Sequence, residues 1–311
     1  MKAVRFHSYG DPDVLVHEEA DRPQAGAGQV VLRVVGAACN PVDASLRAGF
    51  VREVFDLAMP HVPCYDVAGV ISEVGEGVGD WSVGDAVVAW LPIPGPGAAA
   101  EYAVAPAEAL AAAPRTGEAA DAAALPSVAL TAWQALFEHA GLKAGQTLLV
   151  NGAGGAVGGY AVQLAAQAGA SVTATASAGS QDRVRSYGAE RVVDYTVTPL
   201  REALAGQQFD VVLNLVFLSD PDELAKLVDL VVDGGVFANT VPPGLSATER
   251  GVRNMQVFGR SDAAQLTELV RRVDAGELKI HVAERRPLSE LRAVHEELAA
   301  GKLPGKTVLL P

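Results

Sequence analysis

Residues 147–158 read TLLVNGAGGAVG, an apolar run of strand length that leads directly into a cluster of glycines. Residues 159–168 follow, and their apolar side chains recur at helical spacing. This order predicts a strand, a tight turn and a helix. A glycine-rich turn lets the backbone approach a pyrophosphate, and a helix N-terminus offers unpaired N–H groups and the positive end of a dipole. The stretch therefore predicts a phosphate-binding turn.

The spacing of these glycines departs from the usual dinucleotide fingerprint. Gly152, Gly155 and Gly158 are three residues apart, whereas G-x-G-x-x-G beginning at Gly152 needs a glycine where the chain has Val157. Tight packing of the turn is the alternative explanation. A second strand is predicted from Ser171 to Thr175, which gives the βαβ unit that dinucleotide binding requires. This context favours a cofactor site.

Composition and charge exclude several classes of protein. The chain has 311 residues, of which half are apolar and a fifth are charged, so it is long enough for two globular domains. Its net charge of −13 disfavours phosphate backbones as partners, because nucleic-acid binding needs clustered Lys and Arg. We therefore expect no nucleic-acid partner.

Two features predict an aqueous, reducing compartment. The N-terminus lacks the basic and apolar pattern of a signal peptide, and no apolar run reaches about eighteen residues, so we expect a cytoplasmic protein without a membrane partner. The two cysteines, Cys39 and Cys64, belong to no Cys-x-x-Cys pair. We expect both to be reduced thiols that act as small packing residues.

The first third of the chain reads as β-rich, with short strands separated by clusters of Gly, Pro and Asp. The strands predicted there are Ala3–Phe6, Val30–Val35, Val67–Val74, Ala86–Trp90 and Glu101–Val104. The texture becomes alanine-rich and helical from Ala119. After Gly145, strands and helices alternate, which predicts a parallel sheet wrapped by helices.

The alternating part and the C-terminal part are predicted as follows. The strands are Leu148–Asn151, Ser171–Thr175, Arg191–Val193, Asp210–Leu215 and Val236–Thr240, and the helices are 159–168, 181–188, 198–205 and 221–232. The remainder is predicted as a helix Asp262–Ala275, a strand Leu278–Val282, a helix Ser289–Ala299 and a strand Thr307–Leu310. We therefore expect a β-rich domain of residues 1–125 and 263–311, with a doubly wound α/β domain of residues 126–262 inserted.

Several stretches together resemble the zinc-independent quinone oxidoreductases of the medium-chain dehydrogenase/reductase superfamily, the group that includes zeta-crystallin. The matching text lies at residues 40–43, 66–70, 83–87, 130–136, 152–158, 162–165 and 305–306. The resemblance covers nearly the whole chain and implies a GroES-like catalytic domain with a Rossmann domain. In this family the turn has the form Ala-x-x-Gly-x-x-Gly, so the threefold spacing is the expected variant, with Gly152 in place of the alanine.

Zinc alcohol dehydrogenases of the same superfamily are similar but carry a cysteine near residue 40 and a His-Glu pair near 65–66. This chain has Asn40 at the first position and Tyr65 and Asp66 at the second. Cys39 is one residue out of register, which in a strand directs it to the opposite face. A catalytic zinc needs three protein ligands with an open site, and we expect no metal here.

The end of the second predicted strand indicates NADPH (NADP) as the cofactor. An Asp or Glu at that end would hold the ribose 2′-hydroxyl of NAD, and residues 174–177 contain no carboxylate. Ser177 can donate to a 2′-phosphate, and Arg183 can pair with it. The alternative for Arg183 is a solvated helix residue. Tyr195 matches a family position that flanks the adenosine phosphate, and is otherwise an ordinary half-buried tyrosine.

The resemblance implies the remaining cofactor residues. At the glycine turn they are Gly152, Gly154, Gly155, Ala156, Val157 and Gly158. Around the nicotinamide they are Asn40, Thr131 and the loops after the fourth and fifth Rossmann strands, at Leu215 and at Val241 within residues 240–242. Lys306 matches a basic residue near the cleft. For Asn40, a turn residue before Pro41 is the equal alternative.

A quinone is already electrophilic, so hydride transfer from a reduced nicotinamide depends chiefly on positioning. We expect NADPH-dependent reduction of quinones or small conjugated enones. The catalytic residues stay unassigned, with Asn40 and Tyr65 as candidates, and water, Tyr65 or Ser45 as proton source.

Two other functions stay open at this point. One is an enoyl or polyketide-tailoring reductase, although Phe50 and Val51 stand where related enoyl reductases carry a tyrosine. The other is a non-catalytic NADPH-binding protein, since fold alone does not settle function. The resemblance also implies a homodimer formed through the edge of the Rossmann sheet, near residues 236–240.

Overall fold

The computed structural model describes residues 1–241 and 250–311, and it divides into two units. The first unit comprises Met1–Ser127 and Ser261–Pro311, and the second comprises Val128–Arg260. Pro242 of the expected nicotinamide loop lies outside the described residues. Within these described stretches, no helix is long and apolar enough to cross a membrane.

The N-terminal part of the first unit is rich in antiparallel strands, as the short apolar runs predict. Its elements are β1 (Lys2–Phe6), β2 (Leu15–Glu19), β3 (Gln29–Ala38), α1 (Pro41–Ala48), β4 (Asp66–Val74), β5 (Ala86–Trp90), β6 (Tyr102–Pro106) and β7 (Leu110–Ala112). The five predicted strands are confirmed as β1, β3, β4, β5 and β6. Strands β2 and β7 and helix α1 were not predicted from the sequence.

Helix α1 begins where the sequence analysis saw only a possible turn before Pro41. Asn40 is the N-cap residue and Pro41 occupies the first helical position, where its missing N–H is not needed. The carboxylate of Asp43 accepts a hydrogen bond from the backbone N–H of Asn40 at 2.7 Å, which is one half of a capping box. The Asn40 amide also bonds side chains outside the helix, Asp66 and Lys306.

The chain enters the second unit through α2 (Pro126–Trp133) and then alternates between strands and helices. The elements that follow are β8 (Thr147–Asn151), α3 (Ala156–Gln167), β9 (Ser171–Thr175), α4 (Ala178–Ser186), β10 (Arg191–Val193), α5 (Leu200–Ala203), β11 (Phe209–Asn214), α6 (Pro221–Val228), β12 (Val231–Asn239) and β13 (Arg253–Gln256). The strands form one parallel sheet in the order β10-β9-β8-β11-β12-β13. The strand order reverses between β8 and β11, which is the switch point of a doubly wound sheet.

Three predictions for this unit need correction. The helix predicted over 221–232 ends at Val228, because β12 begins at Val231, five residues before the predicted strand. The helix predicted over 198–205 has only four residues, Leu200–Ala203. The polar strand β13 was not predicted; it forms the sheet edge and pairs with β12, so residues 236–239 lie next to this edge.

The C-terminal part returns to the first unit with α7 (Ala263–Asp274), β14 (Glu284–Pro287), α8 (Leu291–Ala299) and β15 (Thr307–Leu310). The predicted strand Leu278–Val282 is wrong, because the strand lies six residues further on, at β14. Strand β14 is the edge of the sheet β14-β15-β3-β4-β5-β7. Its residues are mostly charged, so the sequence does not show the pattern of a strand there. Arg286, for example, forms ion pairs with Glu284 and Glu297. Such charged residues do not give the alternation of apolar and polar residues from which a strand is predicted.

Each unit has its own apolar core. The largest buried side chains of the first unit are Phe6, Leu32, Tyr65, Ile71 and Leu91. The buried core of the second unit, on and beside the parallel sheet, includes Leu149, Phe209, Val212, Leu224 and Phe237. The sequence-predicted candidate Tyr65 is therefore a core residue that is 1% exposed.

A substitution at Gly36 tests how tightly the first unit is packed. A Cβ on this residue of β3 would lie 2.5 Å from the carbonyl oxygen of Ala120, which is backbone and cannot move aside cheaply. We expect Gly36→Ala to lower the free energy of unfolding by about 1–3 kcal/mol through overpacking. Gly79→Ala is the control, since nothing lies within 4 Å of its Cβ position. Urea unfolding of both variants measures the difference, and equal effects would contradict this account.

Candidate functional site

The glycine turn of the second unit has the geometry of an anion cradle. Gly152 adopts a φ of +96°, which favours glycine. A Cβ on Gly158 would lie 2.4 Å from the carbonyl oxygen of Gly152, so glycine alone lets α3 approach the turn this closely. The N-cap residue of α3, Gly155, has no side chain, so the N–H groups of the first helical turn have no capping partner there. A valine is tolerated at position 157, because the close contact between α3 and the backbone of the turn is at Gly158.

Arg183 is brought against this turn from the next helix. Its Nη2 donates to the carbonyl oxygen of Gly154 at 2.8 Å, and its guanidinium carbon lies 5.9 Å from the centroid of the Tyr187 ring. The side chain is half-buried, so Arg183 is not the solvated helix residue of the alternative. Ser177 is the N-cap residue of α4, and its hydroxyl makes no capping hydrogen bond. Both candidates thus lie at the helix that follows β9.

The other adenosine-end candidate, Tyr195, is 56% exposed, so it is not the half-buried tyrosine of the alternative. The preceding Asp194 is the acidic residue beside it. Its Oδ1 accepts from the backbone N–H of Thr196 at 2.9 Å, and its Oδ2 accepts from Gln181 at 2.7 Å. These hydrogen bonds, first among them those from Thr196, lower the pKa of Asp194. The carboxylate is therefore already engaged by its neighbours.

A row of buried polar side chains, which the sequence analysis missed, crosses the sheet beside the turn. We call Thr175, Asn151, Asn214 and Asn239 the amide ladder. The Asn151 Oδ1 accepts from Thr175 Oγ1 at 2.9 Å, Asn151 Nδ2 donates to Asn214 Oδ1 at 2.8 Å, and Asn214 Nδ2 donates to Asn239 Oδ1 at 3.0 Å. The four side chains are at most 7% exposed. The available signal was an asparagine at or next to the end of three predicted strands.

The ladder reaches the two loops expected to lie at the nicotinamide. The N–H of Leu215 donates to the carbonyl oxygen of Asn151 at 3.0 Å, and a Cβ on Gly152 would lie 3.3 Å from the Leu215 side chain. Asn239 bonds both the N–H and the carbonyl oxygen of Val241. The structure therefore joins Leu215 to the glycine turn and Val241 to the ladder. Thr131 is half-buried in α2.

The first unit contains a buried ion pair between Lys306 and Asp66, and the predicted residue Asn40 is hydrogen-bonded to both. The Lys306 ammonium donates to Asn40 Oδ1 at 2.6 Å and to Asp66 Oδ2 at 2.9 Å. Asn40 Nδ2 also donates to Asp66 Oδ2, and Ser127 donates to Asp66 through its N–H at 2.7 Å and its hydroxyl at 2.6 Å. The Lys306 and Asp66 side chains are 3% and 0% exposed. Three chain segments far apart in sequence thus meet at one carboxylate.

The phenol of Tyr65 lies nearby in sequence but has a different partner. Its hydroxyl oxygen is 2.7 Å from Nε2 of His61, which is also buried. Burial raises the pKa of Tyr65, and burial lowers the pKa of His61. Tyr65 is therefore a weaker acid than an exposed tyrosine.

The two cysteines are free and buried, as expected, but their surroundings are polar. Cys39 Sγ lies 3.5 Å from Nε2 of His295, and the Asp43 carboxylate accepts the backbone N–H of Cys64 at 2.7 Å. Interaction with the Cys64 thiol, followed by that with His295, lowers the pKa of Cys39 well below its ordinary value. Burial raises the pKa of Asp43 to about 7, against the two backbone N–H groups that lower it. The expectation of simple packing residues needs this correction.

The remaining question is which groups this site holds. Across residues 1–241 and 250–311, no group of three or more His, Cys, Asp or Glu side chains is placed to hold a metal ion. The glycine turn fits a dinucleotide, because Gly158 lets α3 begin close against the turn and the N-terminus of that helix is not capped by a side chain.

Removal of one charge tests the buried ion pair. We expect Lys306→Met to lower the free energy of unfolding by about 3–5 kcal/mol, since it leaves the Asp66 carboxylate buried without a cation. The double variant Lys306→Met with Asp66→Asn contains no buried charge and should lose less than the two single variants together. Lys226→Met, which breaks a pair whose side chains are 41% and 54% exposed, is the control and should change the free energy of unfolding far less. Urea unfolding measures all four, and additive losses in the double variant would contradict the pairing.

The comparisons with known proteins agree with this arrangement. Residues 26–115 match the family described as alcohol dehydrogenase GroES-like domain, and residues 187–309 match the family described as zinc-binding dehydrogenase. The chloroplast envelope quinone oxidoreductase homolog of Arabidopsis thaliana is 33% identical, over 100% of this chain and 98% of the relative. The NADPH-dependent alkenal/one oxidoreductase of the same plant is 35% identical, over 100% of this chain and 80% of the relative.

A solved structure shows the same architecture. The quinone oxidoreductase from Coxiella burnetii superposes with a TM-score of 0.89 at 28% identity, covering 100% of this chain and 99% of that one. The expected fold class, a GroES-like domain with a Rossmann parallel-sheet domain, is therefore confirmed. With a relative matched along nearly its whole length at 33% identity, this chain belongs to the quinone oxidoreductases of the medium-chain dehydrogenase/reductase superfamily, a group of NAD(P)H-dependent oxidoreductases.

Proposed function

We propose that this chain is an NADPH-dependent, zinc-independent reductase of quinones or small conjugated enones. The observation that carries the proposal is the glycine turn with Arg183 hydrogen-bonded to its Gly154 carbonyl oxygen. The names of two relatives, a quinone oxidoreductase homolog and an NADPH-dependent alkenal/one oxidoreductase, support the substrate class. Both classes share a carbonyl conjugated to a carbon–carbon double bond, which accepts a hydride.

The dinucleotide would be held mainly by backbone groups. The pyrophosphate would bind the N–H groups at the start of α3, where the helix dipole favours negative charge. The residues assigned to this role are Gly152, Gly154, Gly155, Ala156, Val157 and Gly158. The loops at Leu215 and Val241, with Thr131 and Asn40, would bind the nicotinamide end, and Tyr195 would flank the adenosine phosphate. The bound nicotinamide supplies the hydride, and the chain supplies its orientation.

A preference for the 2′-phosphate would come from the α4 end of β9. Ser177 precedes the first turn of α4, where N–H groups are unpaired, and Arg183 brings a cation to the glycine turn. The side chain of Thr175, at the end of β9, is directed to Asn151. The neighbouring Asp194 has both carboxylate oxygens hydrogen-bonded to protein groups. No free carboxylate among these residues competes for the ribose.

Zinc independence follows in this proposal from Lys306. Asn40 stands where the related zinc enzymes carry a cysteine, and Asp66 stands where they carry the acidic residue of a His-Glu pair; in this chain the Lys306 ammonium binds an oxygen of each. A divalent cation there would meet a buried positive charge within bonding distance of the same oxygens. The ammonium thus takes the electrostatic place of a metal.

The same contacts orient Asn40. Because its oxygen accepts from Lys306, its nitrogen must face Asp66, so the amide has one defined orientation. An amide fixed in this way can position a carbonyl or carboxamide group. Since the pKa of Tyr65 is raised and its hydroxyl is paired with His61, the proposal assigns the final proton to water rather than to Tyr65. The homodimer implied by the family belongs to the proposal as well, with β13 as the available edge strand.

Initial rates of NADPH and NADH oxidation test the proposal directly. The acceptor panel is a benzoquinone, a naphthoquinone, an enal and a crotonyl thioester. We expect turnover of the quinones or the enal with NADPH preferred. Arg183→Met and Ser177→Ala should each raise KM for NADPH by about tenfold, because a charge-assisted hydrogen bond to phosphate is lost. The KM for NADH should change little.

Arg185→Met is the matched control on the same helix. Arg185 is exposed and bonds Asp182 and Gln181, so its removal should leave both KM values unchanged. An equal rise in KM for NADH and NADPH in Arg183→Met would contradict the 2′-phosphate role. Turnover of the thioester alone would assign the chain to the tailoring reductases, and NADPH binding without any turnover would indicate a non-catalytic protein.

A further inference from the structure

We infer that Asn214 is a positioning residue for the nicotinamide end of the cofactor, acting through the amide ladder. The inference rests on the proposed function, because it assumes that the loops after β11 and β12 hold this end. Asn214 touches neither cofactor nor substrate in this account. Its effect is transmitted by the loop backbones that it holds.

The position of the ladder is the first observation. Thr175, Asn151, Asn214 and Asn239 are the last residues of β9, β8, β11 and β12, respectively. They follow one another across four neighbouring strands, and the bond between Asn151 and Asn214 crosses the switch point between β8 and β11. Ligands of doubly wound sheets bind just beyond the carboxyl ends of the strands, at this point. The ladder therefore lies directly beneath the binding crevice of its own unit.

The hydrogen bonds of Asn214 are the second observation. Its Nδ2 donates to Asn239 Oδ1 and to the carbonyl oxygen of Val216, both at 3.0 Å. Its Oδ1 accepts from Asn151 Nδ2 at 2.8 Å and from the N–H of Val216 at 3.3 Å. The side chain is 0% exposed, and all four of its hydrogen-bonding positions are used. Asn214 thus binds the loop backbone two residues ahead in the manner of a paired strand.

Asn239 repeats the same device one strand further along. Its Oδ1 accepts from the N–H of Val241 at 3.3 Å, and its Nδ2 donates to the carbonyl oxygen of Val241. The backbone at Val216 and the backbone at Val241 are therefore held by two asparagines that also bond each other. A shift of either backbone segment would strain the hydrogen bond between Asn214 and Asn239, so Val216 and Val241 are linked through this bond.

An apolar residue would fill the space of Asn214 but would not hold the loop. Packing between β8 and β11 depends on the apolar residues before Asn214, such as Leu213 and Val212, which are fully buried. The amide adds directional bonds at the strand end. A fully satisfied buried network specifies one arrangement, and removal of its central member leaves the neighbouring groups without partners. Replacing Asn214 by an apolar residue should therefore change the position of the loop backbone more than the stability of the fold.

The test separates the two ends of the cofactor. Asn214→Leu should raise the Kd for NADPH by about tenfold, because the nicotinamide loops must be ordered at binding. The Kd for 2′,5′-ADP, which lacks the nicotinamide end, should stay within about twofold of the wild-type value. Fluorescence titration measures the first and calorimetry the second, and neither requires turnover.

Thr147→Val is the matched control. The Thr147 hydroxyl donates to Asp210 Oδ2 at 2.8 Å and accepts from the Asp210 N–H at 3.0 Å, which joins the same strands β8 and β11 at their amino ends. This variant should lower the melting temperature without changing the ratio of the two Kd values. If Asn214→Leu does not fold, Asn239→Leu, which removes the bonds to Val241 and the bond from Asn214, should show the same change of ratio.

The outcomes are distinct. The positioning role is overturned if a folded Asn214→Leu or Asn239→Leu protein has the same ratio of the two Kd values as the wild type. This includes the case in which the affinity for both ligands falls by the same factor. Wild-type protein that binds neither NADPH nor 2′,5′-ADP overturns the proposed function itself. A raised NADPH Kd with unchanged 2′,5′-ADP binding supports the inference.

Discussion

The contact of the Lys306 ammonium with Asp66 and Asn40 is the constraint on which the chemistry of the first unit depends. A carboxylate that is fully buried is expensive, and its burial is tolerable only when charge and hydrogen bonds are both supplied. Asp66 receives a cation from the C-terminal segment, an amide from the start of α1 and two donors from Ser127. The cation that balances the charge of the Asp66 carboxylate is the Lys306 side chain, which is part of the protein itself. A metal ion in this place would be redundant, and this is the physical basis of the zinc independence that we propose.

The second unit follows the same rule with neutral groups. Its parallel strands are apolar where neighbouring elements cover them, and polar side chains occur at the carboxyl ends, where loops leave the sheet. The ladder satisfies these groups through one another and through loop backbone, so the binding end of the sheet is ordered without charge. Arg183 then brings one positive group to the glycine turn. The network at Asp66 in the first unit is thus ionic, whereas the ladder in the second unit consists of neutral amide and hydroxyl groups.

The sequence predicted the fold where local signals suffice. The run TLLVNGAGGAVG combines strand, turn and helix signals within twelve residues, and the alternation after it requires a parallel sheet. The sequence failed where a side chain's partner is distant. Strand β14 carries charged residues whose partners neutralise them, and the strand β13 is polar as well, so neither shows an apolar alternation. Helix α1 was hidden because Asn40 and Pro41 are equally typical of a turn.

The candidate site shows the same division. Asn40 and Lys306 were both expected, but only the structure reveals that they are bonded, because 266 residues separate them. The ladder left a readable signal in asparagines at or beside three strand ends, yet its bonds depend on strand order, which local sequence does not specify. Tyr65 was a candidate by position, and its burial against His61 follows from packing alone.

The most direct test of the central claim is the metal content of the purified protein after equilibration with zinc, measured together with its rate of quinone reduction before and after chelation. If the Lys306 ammonium is the cation at Asp66, zinc should remain well below stoichiometric and the rate should be unchanged by the chelator. A stoichiometric zinc ion whose removal abolishes the activity would contradict the account.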